Sequence, residues 1–211
     1  MKNATRFQKG INDNKIMDIN EFGKLYEQYM DTKRDEMKKK YNRVLPSGEL
    51  VFNRYEKAKY LNYGEGTSVY DTSVVMGDVE IGKNTWIGPY TLLEGLNAKL
   101  TIGDNVAISS GVLIYTHDST KSQLSGGREA FKVGEVTIGN NTMIGSMSTI
   151  ICGVNVGNYC VIGAHSFVNR DIPDCKIAAG VPVEIIGDVI FNADGTVELE
   201  YYKNQDGENN G

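Results

Sequence analysis

His117 and Asp118, side by side in the stretch LIYTHDSTKSQ, are the residues best suited by type to carry chemistry. His117 is one of two histidines in 211 residues. Imidazole is the side chain whose proton moves most readily near neutral pH, so a placed histidine can remove a proton from a hydroxyl. Asp118, or a backbone carbonyl, could fix the tautomer of that ring. Glu94 is a further carboxylate, placed where it could bind hydroxyl groups of a substrate. These residues need a scaffold, and the sequence around them describes one.

From residue 69 aliphatic side chains recur at every sixth position: Val69, Val75, Ile81, Ile87 and Leu93, then Ile102, Ile108 and Ile114, then Ile138, Ile144, Ile150, Val156, Ile162 and Val168. Glycine often follows. A second column, four residues on, is small or aliphatic throughout: Ser73, Val79, Thr85, Thr91, Val106, Val112, Thr142, Ser148, Val154, Cys160 and Ser166. Neither the helical period of 3.6 nor the strand period of 2 produces this spacing. A parallel β-helix of hexapeptide rungs does, with three rungs to a triangular coil of about 18 residues. Asn, Asp and Gly between the columns suit turns at positive φ.

The period breaks twice. Leu93 to Ile102 is nine residues, three too many, and Glu94 stands just before that irregularity. Ile114 to Ile138 is 24 residues, still a multiple of six, yet the segment between has no rung pattern. Residues 119–135 therefore read as a loop extruded from the prism, and loops of that length are usually functional. His117 and Asp118 stand at its base. His117 also falls in the turn column, three residues after Ile114, alongside Asn105, Gly111 and Asn141, which need no chemistry. His165 occupies the same column, 48 residues on, which puts it on a different face of the prism as an exposed turn residue or as a lining of a neighbour's groove.

Composition bounds the rest. A chain 40% hydrophobic and 23% charged reads as one globular domain with an appendage. No membrane span is expected, and the N-terminus lacks the apolar core of a secretory leader. Residues 1–60 hold 14 Lys/Arg against 9 Asp/Glu, whereas residues 61–211 hold 8 against 18. That shift supports a boundary near residue 62. The run KRDEMKKK mixes signs and lacks interleaved aromatics, so it reads as a solvated helix face and not as a nucleic-acid patch. Three cysteines without CxxC or Cys/His spacing indicate packing thiols in a reducing cytoplasm, and no metal is expected.

Three parts are expected. Residues 1–62 form a helical cap, with Asp18 and Glu21 resembling a capping box and Phe22, Leu25, Tyr26 and Tyr29 on one face; a second helix covers LVFNRYEKAKYLNYG. Residues 63–187 form the β-helix. Residues 188–211 form a hairpin turning at Asp194-Gly195, followed by a disordered tail. The fold class is an all-β core with these additions.

The rungs, IYTHD followed by a loop, the run TIGNNTMIGSMSTIICGVNVGNYCVIGAHSFVNRDIP and the exit AAGVP resemble the hexapeptide-repeat acyltransferases, nearest to the galactoside/maltose and polysaccharide-modifying O-acetyltransferases. The resemblance covers about residues 67–187. It implies a left-handed coil, a homotrimer with active sites between neighbouring prisms, and acetyl-CoA as donor co-substrate. It implies that His117 takes the proton of an acceptor hydroxyl, and that Gly145, Ser146 and Ala164 line the pantetheine arm. It implies that basic residues near the exit hold the phosphates, of which Arg170 matches one; Lys176, or Lys121, Arg128 and Lys132 of the loop, are the other candidates in this sequence. The exit carries Glu184 and Gly187 where relatives tend to carry Arg or Lys. Tyr90 falls at the relatives' acceptor-binding position. The acceptor implied is a small sugar or nucleotide-sugar. The other readings are N-acetylation of a nucleotide-linked amino sugar, and a non-enzymatic β-helix scaffold without affinity for CoA.

Overall fold

A computed structural model describes residues 18–202. The expected tail and the leader question lie outside those residues. The described residues divide into two compact units, one ending at Val51 and the other beginning at Phe52.

In the first unit, helix α1 spans Ile19–Tyr41. Asp18 caps it, accepting the Asn20 N–H at 2.9 Å. Asn42, at φ 51°, ends it in the left-handed conformation and donates to the Lys38 carbonyl. Lysines 38–40 complement the C-terminal dipole. The short helix α2, Ser47–Val51, packs against α1. The buried member of α1 is Met30, while Phe22, Leu25, Tyr26 and Tyr29 stay exposed. The stripe on one face is present but stays exposed, with the buried Met30 one turn past Tyr26 at its edge.

The second unit opens with helix α3, Arg54–Tyr60, capped by Asn53. The expected single helix over this stretch is two short ones, broken at Phe52 and Asn53. Ala58 of α3 enters the core beside the first coil. Lys57 sends its ammonium to the carbonyls of Tyr70, Asp71 and Ser73, each at 2.9 Å, and so satisfies a turn that has no coil before it.

From Ser68 the chain winds as a parallel β-helix with three faces. The first face stacks Val69, Ile87, Ile108, Ile144, Ile162 and Ala178 in register. The second stacks Val75, Leu93, Ile114, Ile150 and Val168. The third stacks Ile81, Ile102, Ile138, Val156 and Ile172. These side chains form the core, most of them fully buried. Within each rung the neighbouring side chain points outward, as alternation in a strand requires.

Two side-chain columns hold the turns. Three past many of the aliphatics, Asn84, Tyr90, Asn105, Asn141, Met147, Tyr159 and His165 have φ between 53° and 62°. Most residues four past are buried, and several of their hydroxyls reach a carbonyl of the adjacent coil. Ser73 donates to Gly88 at 2.7 Å, Thr85 to Gly103 at 2.8 Å, Thr142 to Gly157 at 2.9 Å and Ser148 to Gly163 at 2.9 Å. Each bond ties one coil to the next where backbone pairing is interrupted.

After the last coil, Lys176–Ala179 pairs antiparallel with Glu184–Phe191, which pairs with Val197–Tyr201. The hairpin turns at Asp194-Gly195 as the sequence indicates, with Gly195 at φ 84°. Its first strand begins at Glu184, earlier than the expected boundary at 188, and extends the sheet of the first face.

Candidate active site

The nine-residue interval and the loop meet at one place. The strand Val74–Ile81 pairs with Leu92–Ile102 in register as far as Gly77 opposite Gly95; pairing resumes with Val79 opposite Leu100, so the second strand carries three extra residues. The backbones approach so closely that a Cβ on Gly95 would stand 2.2 Å from the Asp78 carbonyl oxygen. Only glycine fits there. The distortion leaves Glu94, the residue before it, turned inward and 1% exposed.

Four groups satisfy the Glu94 carboxylate. Oε1 accepts the Leu96 N–H at 2.6 Å, inside the irregular segment. Oε2 accepts the Thr116 N–H at 2.9 Å, and the Thr116 hydroxyl lies 3.1 Å from Oε2 and 3.2 Å from Oε1. His117 Nδ1 stands 3.0 Å from Oε2. Burial pushes the Glu94 pKa up, but the hydrogen bonds from Thr116, His117 and Leu96 outweigh it, and the net direction is down. The carboxylate is therefore ionised at neutral pH. An ionised carboxylate only accepts, so Nδ1 of His117 carries the proton. In the neutral ring the lone pair is then on Nε2, which has no partner among the described residues.

The loop secures the histidine from outside. His117–Asp118 pairs antiparallel with Lys132–Val133, and the Gly134 N–H donates to the Thr116 carbonyl at 3.0 Å. Phe131 stacks on the imidazole, with ring centroids 5.4 Å apart and planes at 20°. Between these ends the loop holds the short helix α4, Thr120–Leu124, and glycines 126 and 127 at positive φ. His117 has thus left the turn column. It lies in a strand, whereas its periodic equivalents Asn105, Gly111 and Asn141 sit at positive φ.

The carboxylate on the imidazole is that of Glu94 and not that of Asp118. In a strand successive side chains point to opposite sides, so Asp118 is directed away from the ring of its neighbour. Its carboxylate instead accepts the N–H of Thr120, the first residue of α4, at 2.8 Å. The Thr120 hydroxyl and N–H hold its pKa below the usual range. Glu94, expected to bind acceptor hydroxyls, is buried and fully engaged, and it is the residue that orients the histidine. A signal existed in the sequence: a carboxylate one place after the aliphatic, where Gly82, Gly88, Gly103, Gly139, Gly145, Gly157 and Gly163 stand elsewhere.

The other candidates lie on different edges. Tyr90, Ser146, Ala164 and His165 occupy the corner between the first and second faces, where the His165 N–H donates to the Ser146 carbonyl at 2.9 Å. Gly145 packs against the coil above it: a Cβ there would stand 2.5 Å from the Ala164 nitrogen. His117 and Arg170 lie on the corner between the second and third faces, and Arg170 is exposed. One chain therefore does not bring Ser146 and Ala164 to His117. Lys176 is paired with Asp188, which also accepts the Tyr202 hydroxyl at 2.7 Å, so its charge is already matched.

The family described as bacterial transferase hexapeptide (six repeats) matches residues 135–170. The chain is 38% identical over 113 residues to galactoside O-acetyltransferase of Escherichia coli strain K12, covering 53% of this chain and 55% of that protein. It thus spans about half the length of that curated relative. Among solved structures, a galactoside acetyltransferase in complex with coenzyme A superposes with a TM-score of 0.56 at 29% identity, over 75% of this chain and 82% of the other. A hexapeptide-repeat acetyltransferase of Vibrio cholerae, complexed with acetyl coenzyme A, shares the fold with a TM-score of 0.57 at 24% identity, over 76% of this chain and 87% of the other. Repeat, register and likenesses agree: the chain carries a hexapeptide repeat, folds as a left-handed parallel β-helix, and is similar to acetyltransferases with that repeat.

Proposed function

We propose that this chain is an acetyl-CoA-dependent O-acetyltransferase that acts on a sugar hydroxyl in glycan or cell-surface polysaccharide building, with His117 as general base. The observation that carries the reading is the buried Glu94 carboxylate on Nδ1, which leaves Nε2 unpartnered at the foot of a long loop. A hydroxyl is a poor nucleophile until a base takes its proton. In the proposed reaction Nε2 of His117 accepts that proton as the acceptor oxygen bonds to the acetyl carbon. Glu94 faces the imidazolium so formed. His117 then returns the proton to the departing sulfur as the carbon–sulfur bond breaks.

The likeness to galactoside O-acetyltransferase supports a sugar acceptor and acetyl-CoA as donor. Ser146 and Ala164, on successive coils of one corner, offer an edge along which an extended pantetheine arm could lie. Because that edge is not the edge of His117, a working site takes Ser146 and Ala164 from one prism and His117 from another. This supports the homotrimer. The outward row of the first face, Trp86, Ala107, Met143 and Val161, is apolar enough to be covered by a neighbour. Three free thiols suit a cytoplasmic setting. Among the described residues no helix is long and apolar enough to cross a membrane.

Titration of the protein with acetyl-CoA by calorimetry, followed by an acceptor screen that reads thiol release, tests the reading. Saturable binding and turnover with hydroxyl sugars, reduced about a thousand-fold in His117→Ala with the coil intact, is the expected result. Turnover only with amino sugars would replace O- by N-acetylation. No binding at millimolar acetyl-CoA would leave the scaffold reading standing.

A further inference from the structure

The imidazole of His117 is held in two directions that differ in kind. Glu94, from the preceding coil, grips its edge at Nδ1. Phe131, from the far end of the loop, lies against its face with centroids 5.4 Å apart. Hydrogen bonding at one nitrogen leaves the ring free to swing about that contact, and a flat apolar neighbour removes this freedom. Phe131 reaches the ring because Val133 pairs with His117, which places the last residues of the loop beside the histidine. The phenyl ring is still 44% exposed and belongs to no core cluster. A side chain so exposed adds little to folding, which leaves its contact with His117 as its distinctive relationship.

We propose that Phe131 is a positioning residue for His117: its ring sets the plane of the imidazole so that Nε2 keeps its aim, and its π face favours the imidazolium that forms when the proton is taken. A cation is attracted to an aromatic face within about 6 Å, and the observed spacing meets that condition. The inference rests on His117 being the general base. It makes the loop part of the catalytic apparatus, since displacing residues 119–135 would release the histidine from one of its two constraints.

The test compares Phe131→Leu and Phe131→Tyr in the full chain, reading kcat and KM for acetyl-CoA and for a sugar acceptor, together with proton NMR of the two histidine rings. Phe131→Leu should lower kcat about ten-fold and leave KM for acetyl-CoA unchanged, and Phe131→Tyr should restore most of the rate. The His117 ring protons should lose an upfield ring-current shift in Phe131→Leu and keep it in Phe131→Tyr, with the His165 signals unmoved. An unchanged kcat in Phe131→Leu, or equal losses in both variants, overturns the proposal. Normal turnover in His117→Ala would instead sink the general-base reading, and the ring-current shift would still report whether the stack exists.

Discussion

Nδ1 of His117 lies 3.0 Å from the carboxylate of Glu94, a residue 23 positions earlier and one coil below. The contact exists because three extra residues after Gly95 turn Glu94 inward and because the loop draws His117 out of the turn column. Glu94 also accepts from Leu96 and Thr116, so the same carboxylate closes the irregular segment and aims the base.

Glu94→Gln keeps the shape of the side chain but removes the charge that fixes the tautomer. The expected result is a fall in kcat of about a hundred-fold with KM for acetyl-CoA unchanged. Steady-state kinetics by thiol release would check it. A kcat within two-fold of wild type would show that Glu94 serves the fold alone.

Acid stability should report the same carboxylate. Its folded pKa lies below the ordinary 4.5. A depressed carboxylate contributes stability that is fully present above the unfolded value and is lost as pH falls through the folded one. The wild-type melting temperature should therefore drop more steeply below about pH 4.5 than that of Glu94→Gln, which has no such proton to bind. Melting curves from pH 7 to pH 3 would show whether the two lines converge.

The buried hydroxyl column makes opposite predictions at two threonines. Thr142 donates to the Gly157 carbonyl at 2.9 Å and accepts the Cys160 N–H at 3.1 Å. Thr142→Val strands both groups and should cost about 2 kcal/mol. Thr91 is equally buried, yet its hydroxyl has no partner among the described residues. Thr91→Val removes an unsatisfied group of the same size and should stabilise by about 1 kcal/mol. Chemical denaturation of both variants decides, and destabilisation of equal size would contradict the assigned partners.

The turn column can be tested at Asn141, at φ 55°. Asn141→Gly should be close to neutral, because glycine adopts that conformation freely. Asn141→Val should cost about 1–2 kcal/mol, since a branched Cβ is strained there. Equal stability of the two variants would mean that the turn has relaxed to another conformation.

The β-helix is legible in the sequence because most rungs declare themselves within six residues: an aliphatic that must be buried, a residue that tolerates positive φ, and a small side chain four places on. The loop was legible by arithmetic. An interval of 24 residues keeps the phase, and Ile138 duly pairs beside Ile102. The hairpin turn was likewise local, carried by Asp194 and Gly195.

The partner of His117 was not local. Adjacency in sequence favoured Asp118, but a strand sends neighbouring side chains to opposite sides, so the nearest residue in the chain is badly placed to touch the ring. Helix α1 makes the same point: its aromatic stripe was readable, but that Met30 is its buried residue was not. The sequence by itself determined the coil, its phase and the histidine at its edge, because these follow from repeated short-range preferences. Only the tertiary structure decided that Glu94 grips that histidine and Phe131 covers it. Those contacts join residues far apart in the chain through the stacking of coils and the return path of a loop; a carboxylate in the glycine column marks Glu94 as unusual, but no local pattern names its partner.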